Sequence, residues 1–341
     1  MTDEAHDVRR PDGAPVRRLR LGVLGCASIA RRRTLPAAVA DPSVELVAVA
    51  SRDAHKAGQF ARLFGCEPVL GYERLVERRD IDAVYVPLPA ALHAHWIEAS
   101  LRAGKHVLAE KPLAMDAGTA AKLVSLARSR GLLLVENYMF TYHSQHEAVR
   151  RLLADGAIGE LRAFSAAFTI PQLPPDDIRN QSGLGGGALL DVAGYPIRAA
   201  ELFLGDGLRV AGSVVRHDAA LGVDTGGAAL LRTAAGVTAQ LTFGMENAYR
   251  SSYELWGSTG RISVHRAFTP PAEHRPVIRV ERPEGVEEIT LAADDQFARV
   301  VGTFARSVLD GTDDVPPGSG HGMRDIEPHA RLVDAVRRNG S

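Results

Sequence analysis

The sequence predicts an α/β domain built on a parallel sheet, followed by an α+β domain with a mostly antiparallel sheet. Three observations carry this. Up to about residue 140, short apolar runs alternate with stretches of helical spacing, the pattern of parallel strands joined by crossover helices. Beyond about residue 145, strand-like runs follow one another without helices between them. The length of 341 residues also suits two domains.

Residues 1–17 are charged, carry Pro11 and Pro15, and lack the apolar run of a signal peptide, so a flexible tail is expected. Strand-length runs follow at 20–24, 46–50, 83–86, 107–109 and 132–135, with helical spacing at 28–39, 54–64, 92–102 and 117–130. These set the first domain at residues 18–140. The second, residues 141–341, opens with a helix at 145–154. Its strands are expected near 160–170, 209–217, 226–234, 236–243, 251–257 and 261–266, interrupted by a Gly-rich turn and helix at 183–204. Helical spacing returns at 296–309 and 323–337, and residues 318–322 read as a flexible turn.

Composition excludes several classes. With 40 basic and 41 acidic side chains, the formal net charge is −1, which removes the electrostatic footprint of a nucleic-acid surface. Two cysteines, Cys26 and Cys66, are too few for a disulfide framework or a Cys-rich zinc site. The longest aliphatic run, residues 132–135, is far short of a membrane span. His93 and His95, like His143 and His146, lack the H-E-x-x-H pattern, so no metal is expected. No nucleophile elbow or Walker lysine occurs either. The expectation is a cytoplasmic protein with neither nucleic acid nor membrane as partner.

The first strand runs into Gly25-Cys26-Ala27-Ser28-Ile29-Ala30. Gly25, Ala27 and Ala30 occupy the three small-residue positions of a dinucleotide turn, where backbone amides at a helix N-terminus meet a pyrophosphate. The second strand ends in Ser51-Arg52. A small polar residue and a guanidinium there suit a 2′-phosphate, where NAD enzymes place a carboxylate. NADPH is therefore the expected cofactor, although Asp53 leaves NAD open.

A third segment is more specific. Ala103-Gly104-Lys105-His106-Val107-Leu108-Ala109-Glu110-Lys111-Pro112 resembles the A-G-K-H-V-x-x-E-K-P signature of the glucose–fructose oxidoreductase (Gfo/Idh/MocA) family. Pro89 to His93 resembles that family's P-x-x-x-H turn, and Gly185-Gly186-Gly187 to Asp191 its G-G-G-x-L-x-D segment. The resemblance implies a Rossmann domain followed by a domain with a large, open-faced, mostly antiparallel sheet. It also implies a nicotinamide-dependent oxidoreductase of sugars, associating as a homodimer or homotetramer through the open sheet. Within the family, the stretches from Glu136 to His146 and from Phe168 to Arg179 are most similar to the 3-ketoreductases of deoxysugar and antibiotic biosynthesis, which act on dTDP-linked keto-hexoses. Asn180-Gln181-Ser182 departs from the expected continuation of that loop.

Ketone reduction needs a hydride donor, a proton donor and a group to steady the developing alkoxide. By the resemblance, Lys111 is the active-site lysine. Only four of the basic residues are lysines, Lys56, Lys105, Lys111 and Lys122, and an ammonium can titrate where a guanidinium cannot. Tyr195 stands four residues after Asp191, where many family members carry a histidine, and the spacing sets both on one helix face. A phenol suits proton donation, and Lys111 nearby is expected to lower its pKa. The favoured assignment is Tyr195 as acid with Lys111 polarising the carbonyl, the reverse staying open. Asp191, Arg179, Glu110, Leu88 and His93 are expected at the cofactor end with Gly25, Cys26, Ala27, Ser28, Ile29, Ser51 and Arg52. Arg31 is a candidate for a substrate diphosphate, and Tyr249 and Tyr253 for stacking on a base.

The reading is an NADPH-dependent reductase of the C3 ketone of a dTDP-linked keto-deoxyhexose. An NADP-dependent dehydrogenase of a free sugar or dihydrodiol is its same-fold rival, and a non-catalytic NADP-binding regulator the rival of another class.

Overall fold

A computed structural model describes residues 17–316 and 320–340. Most of the expected tail, and residues 318 and 319 of the expected turn, fall outside the described residues.

The first sheet has six parallel strands in the order β3-β2-β1-β4-β5-β6. They are β1 (Leu19–Leu24), β2 (Val44–Ser51), β3 (Glu67–Leu70), β4 (Ala83–Val86), β5 (His106–Ala109) and β6 (Leu134–Glu136). Helices α1 (Leu35–Ala40), α2 (Ala54–Phe64), α3 (Tyr72–Val76), α4 (Ala90–Arg102) and α5 (Ala117–Ser129) connect them. β4 is buried over its whole length, as a strand covered on both faces must be, which is why its residues are uniformly apolar. β3 was not expected. It is an edge strand, mostly exposed and carrying Pro68, so it has no apolar run to read. Asp53 and Asp116 cap α2 and α5 by accepting backbone N–H bonds from the first turn.

The second sheet has eight strands in the order β14-β13-β12-β11-β7-β10-β9-β8. These are β7 (Leu161–Thr169), β8 (Arg209–Asp218), β9 (Val223–Arg232), β10 (Thr238–Gly244), β11 (Arg250–Gly257), β12 (Arg261–His265), β13 (Val277–Arg282) and β14 (Gly285–Thr290). All neighbours pair antiparallel except β7 with β10, so the expected mostly antiparallel sheet is present. One face carries Phe164, Phe168, Leu241, Leu255 and Ile262 into a core shared with α6 (Ser144–Ala154), α7 (Gly194–Leu204) and α8 (Gln296–Leu309). The register puts Val214, Leu230, Trp256, Val277 and Val286 together on the other face, where they are exposed. The last helix, α9 (Met323–Asn339), crosses back: Met323 and Ile326 join the core of the first sheet.

Two helices depart from regular α spacing. The helix that begins after the Gly25 turn contains a π-turn at Ala30–Thr34, just before Pro36. The helix leading into α7 contains another at Leu189–Ala193, before Pro196. In both, a proline that cannot donate an N–H follows the widened turn.

Candidate active site

The crevice lies at the C-terminal ends of β1 and β4, where the strand order reverses and open α/β sheets bind their ligands. Gly25 has φ +116°, and a Cβ there would meet Leu88 Cδ2 at 2.8 Å, so the turn needs glycine. Cys26 and Ala27 follow, half-buried, before a helix that opens with the exposed Ser28 and the half-buried Ile29, and Arg31 is exposed within it. Ser51 is buried at the end of β2 and its Oγ accepts the Asp53 N–H at 3.1 Å. Arg52 is exposed, with its guanidinium beside the Tyr72 hydroxyl. Asp53 spends its carboxylate on the N–H groups of His55 and Lys56, at 2.8 and 3.1 Å. These residues fit a dinucleotide carrying a 2′-phosphate: a turn at Gly25 that a Cβ would fill, a helix that opens just after it, and an exposed guanidinium at the end of β2.

His93 is buried, with its ring nitrogens 2.7 Å from the Pro112 carbonyl and 2.6 Å from that of Leu88. It therefore ties the turn after β4 to the loop after β5. Glu110 Oε1 accepts from the Tyr85 hydroxyl and from Asn137 Nδ2, both at 2.7 Å.

Lys111 is the centre of the site. Its Nζ donates to Asp191 Oδ1 at 2.7 Å and to the Asp191 carbonyl at 2.8 Å. The same ammonium lies over the Tyr195 ring, 5.2 Å from its centroid. Arg179 Nε donates to the other Asp191 oxygen at 2.8 Å, so both carboxylate oxygens are held. Burial alone would push Asp191 up, but the two cations draw its pKa down to about 2. Burial works against the Lys111 charge too, yet Asp191, together with Tyr195, outweighs it and raises the lysine above its usual value.

Tyr195 is 4% exposed, packed by Phe168, Tyr138, Phe140 and Phe268, with its hydroxyl toward Met139 Sδ at 3.8 Å. The expected lowering of its pKa does not hold. Burial dominates the pull of Lys111 and pushes the phenol up to about 12.

The structure thus brings Lys111, Asp191, Arg179 and Tyr195 together. Tyr249 is exposed just before β11, its hydroxyl 3.2 Å from Thr269 Oγ1. Tyr253, expected to be available for stacking, is instead a core residue whose hydroxyl meets His146 Nδ1 at 3.0 Å. One supporting residue was missed. Asp224 accepts the Leu189 N–H at 2.5 Å and closes against Gly187, setting the start of the helix that carries Asp191. Only a residue-pair signal across the two segments could have found it. Among the described residues, no group of three His, Cys, Asp or Glu side chains could hold a metal ion.

Residues 19–138 match the oxidoreductase family with an NAD-binding Rossmann fold, and residues 146–263 match the GFO/IDH/MocA C-terminal domain. The chain belongs to the GFO/IDH/MocA oxidoreductase family. It is 55% identical over 319 residues to dTDP-3,4-didehydro-2,6-dideoxy-α-D-glucose 3-reductase of Actinomadura kijaniata, covering 94% of this chain and 95% of that one. The enzyme of the same name from Streptomyces violaceoruber is 54% identical, over 95% and 96% of the two chains. A crystal structure of a 3-ketoreductase from Actinomadura kijaniata with NADP and TDP-benzene superposes with a TM-score of 0.91, at 54% identity, covering 94% of this chain and 98% of that one. This GFO/IDH/MocA member thus shares both domains and nearly its full length with ketoreductases.

Proposed function

We propose that this chain is an NADPH-dependent reductase of the C3 ketone of a dTDP-linked keto-deoxyhexose, working in deoxysugar biosynthesis. The observation that carries the reading is the Lys111–Asp191–Tyr195 cluster, its lysine on a loop that His93 ties to Leu88 against Gly25, in a chain alike over 94% of its length to a dTDP-sugar 3-reductase. Crystallised variants of the Actinomadura kijaniata 3-ketoreductase replace one lysine and one tyrosine. Those two residues are separated by the same number of positions as Lys111 and Tyr195, which supports the pairing.

Gly25, Cys26, Ala27, Ser28, Ile29, Ser51, Arg52 and Leu88 would hold NADPH, which when bound would supply the hydride for the C3 carbon. Lys111, kept cationic by Asp191, draws charge toward the C3 oxygen. Tyr195, still protonated at neutral pH, gives its hydroxyl proton to that oxygen and completes the alcohol. Arg179 and Asp191 keep the lysine from turning away, while Glu110 and His93 fix the loop it stands on. Arg31 and Tyr249 are the candidates for the nucleotide part of the substrate.

The uncovered face of the second sheet, with Val214, Leu230 and Trp256 exposed on it, supports a homodimer or homotetramer formed there. No helix among the described residues is long and apolar enough to cross a membrane.

The test is calorimetric titration of dTDP into the NADPH-saturated protein, followed by loss of NADPH absorbance with a dTDP-linked 3-keto sugar. Saturable dTDP binding and turnover are expected. Turnover of free sugars or diols with NADP, and no response to dTDP, would overturn the substrate assignment.

A further inference from the structure

Behind the catalytic cluster runs a buried chain of polar side chains that ends in the C-terminal segment. We infer that Glu136, Tyr138, His321 and His329 are positioning residues, with one arm bracing the Lys111 loop and the other bracing Tyr195. The inference rests on the reading of Lys111 and Tyr195 as the catalytic pair.

The first arm begins at His321, which is fully buried rather than part of a flexible turn. Its N–H donates to Thr141 Oγ1 at 2.9 Å, and its carbonyl accepts the Tyr142 hydroxyl at 2.8 Å. Its Nε2–H donates to Glu136 Oε2 at 3.1 Å. The remaining nitrogen, Nδ1, has no partner, and in this tautomer it is a bare lone pair, cheaper to bury than an N–H. Glu136 Oε1 accepts the backbone N–H of Leu113 at 2.7 Å, two residues beyond Lys111. Burial alone would push Glu136 up, but the contact with His321 holds its carboxyl below the usual value, so it stays an acceptor.

The second arm begins at His329. Its Nδ1–H donates to Glu201 Oε2 at 2.7 Å, and its Nε2 accepts the Tyr138 hydroxyl at 3.0 Å. Arg198 lies between Glu201 and Asp325, with its Nη1 3.2 Å from Glu201 Oε2 and its Nη2 3.3 Å from Asp325 Oδ1. The Tyr138 hydroxyl presses on Gly194, the residue before Tyr195, so closely that a Cβ there would lie 2.9 Å from Tyr138 Cζ. The Tyr138 ring meets the Tyr195 ring edge-on, with centroids 5.5 Å apart.

Apolar residues would fill this volume at less desolvation cost, because burying charged groups is offset only by near-complete pairing. What a hydrogen-bonded chain adds is fixed geometry. Both arms deliver it to backbone within two residues of a reacting side chain, where a displacement of about 1 Å can cost roughly 10²-fold in rate.

The test compares Glu136→Gln, which keeps an oxygen for the Leu113 N–H, with Glu136→Ala, which does not. Two readouts are taken: kcat and KM with NADPH and the dTDP-linked keto sugar, and the rate of reductive methylation at Lys111 and Lys105, resolved by mass spectrometry without any substrate. Lys105 is the control because it is buried in the same domain, its Nζ held by the Ile81 carbonyl at 2.8 Å. Glu136→Ala is expected to lose roughly 10²-fold in kcat at unchanged KM. Lys111 should be methylated several-fold faster while Lys105 stays at the wild-type rate, and Glu136→Gln should restore both readouts. Wild-type kcat and labelling in Glu136→Ala would overturn the proposal, as would faster labelling of Lys105 in step with Lys111. If Glu136→Ala does not fold, His321→Asn carries the same expectation. Methylation needs neither sugar nor NADPH, so it stands even if the wild-type enzyme fails on dTDP sugars, a result that would overturn only the proposed function.

Discussion

Asp191 grips Lys111 through two different atoms, its carboxylate Oδ1 at 2.7 Å and its own backbone carbonyl at 2.8 Å. The lysine is thus fixed both by charge and by the path of a helix, and only the first can be removed by substitution at 191. Asp191→Asn should keep the lysine in place yet lower its pKa. The expected result is a kcat/KM profile whose alkaline fall begins at lower pH than in the wild type. Profiles that superpose would remove Asp191 from the control of Lys111.

Tyr195→Phe keeps the packing against Phe168 and removes only the acidic proton. A loss of roughly 10²-fold or more in kcat is expected, the scale of a general acid, with NADPH affinity unchanged. Single-turnover kinetics with pre-bound NADPH check this. Lys111→Ala should likewise bind NADPH and fail to reduce; undiminished turnover would exclude the lysine from the mechanism.

Arg52 is the exposed guanidinium at the end of β2, while Asp53 is committed to capping α2. Arg52→Ala should weaken NADPH binding by about 2 kcal/mol, roughly 30-fold in Kd, and leave NADH nearly unaffected. Fluorescence titration with both cofactors decides it. Equal losses would mean that this guanidinium does not read the 2′-phosphate.

The pKa shifts fix a stability profile. The Asp191 carboxyl sits at about 2 in the fold against 3.8 unfolded, so its contribution is complete above 3.8 and is lost as pH falls through about 2. Tyr195 sits at about 12 against 10.0, so the unfolded chain ionises first and stability declines as pH rises from 10.0 toward 12. Urea midpoints across pH should therefore fall at both ends. In Tyr195→Phe the alkaline decline should be shallower, and in Asp191→Asn the acid one.

Gly194→Ala should destabilise the protein by about 1–3 kcal/mol, because the new methyl runs into the Tyr138 hydroxyl. Adding Tyr138→Phe should recover part of that loss. Chemical denaturation of the single and double variants checks it.

Much of this was readable in the chain, for physical reasons. Central parallel strands such as β4 must be apolar on both faces, so they stand out as unbroken runs. β13 and β14 did not, because β14 lies exposed at the sheet edge with Glu287 and Glu288 adjacent, and β13 is a short strand in which alternation is confined to Ile278, Arg279, Val280 and Glu281. Lys111, Asp191 and Tyr195 were found because each lies in a short local motif. Asp224 and the Glu136–His321 pair were not, since their partners are brought in from distant parts of the chain by tertiary packing. The pKa of Tyr195 was misjudged in direction because a neighbouring cation can be inferred from a motif, whereas burial in an aromatic cage cannot.

The π-turn at Leu189–Ala193 has a consequence for the lysine. In a turn of that spacing, the carbonyl of Asp191 would be satisfied by the N–H of residue 196, and Pro196 has none. The ammonium of Lys111 donates to that carbonyl instead. Supplying an N–H with Pro196→Ala would give that oxygen a backbone donor to share with the lysine, so the hold on Lys111 is set partly by a hydrogen missing from the helix.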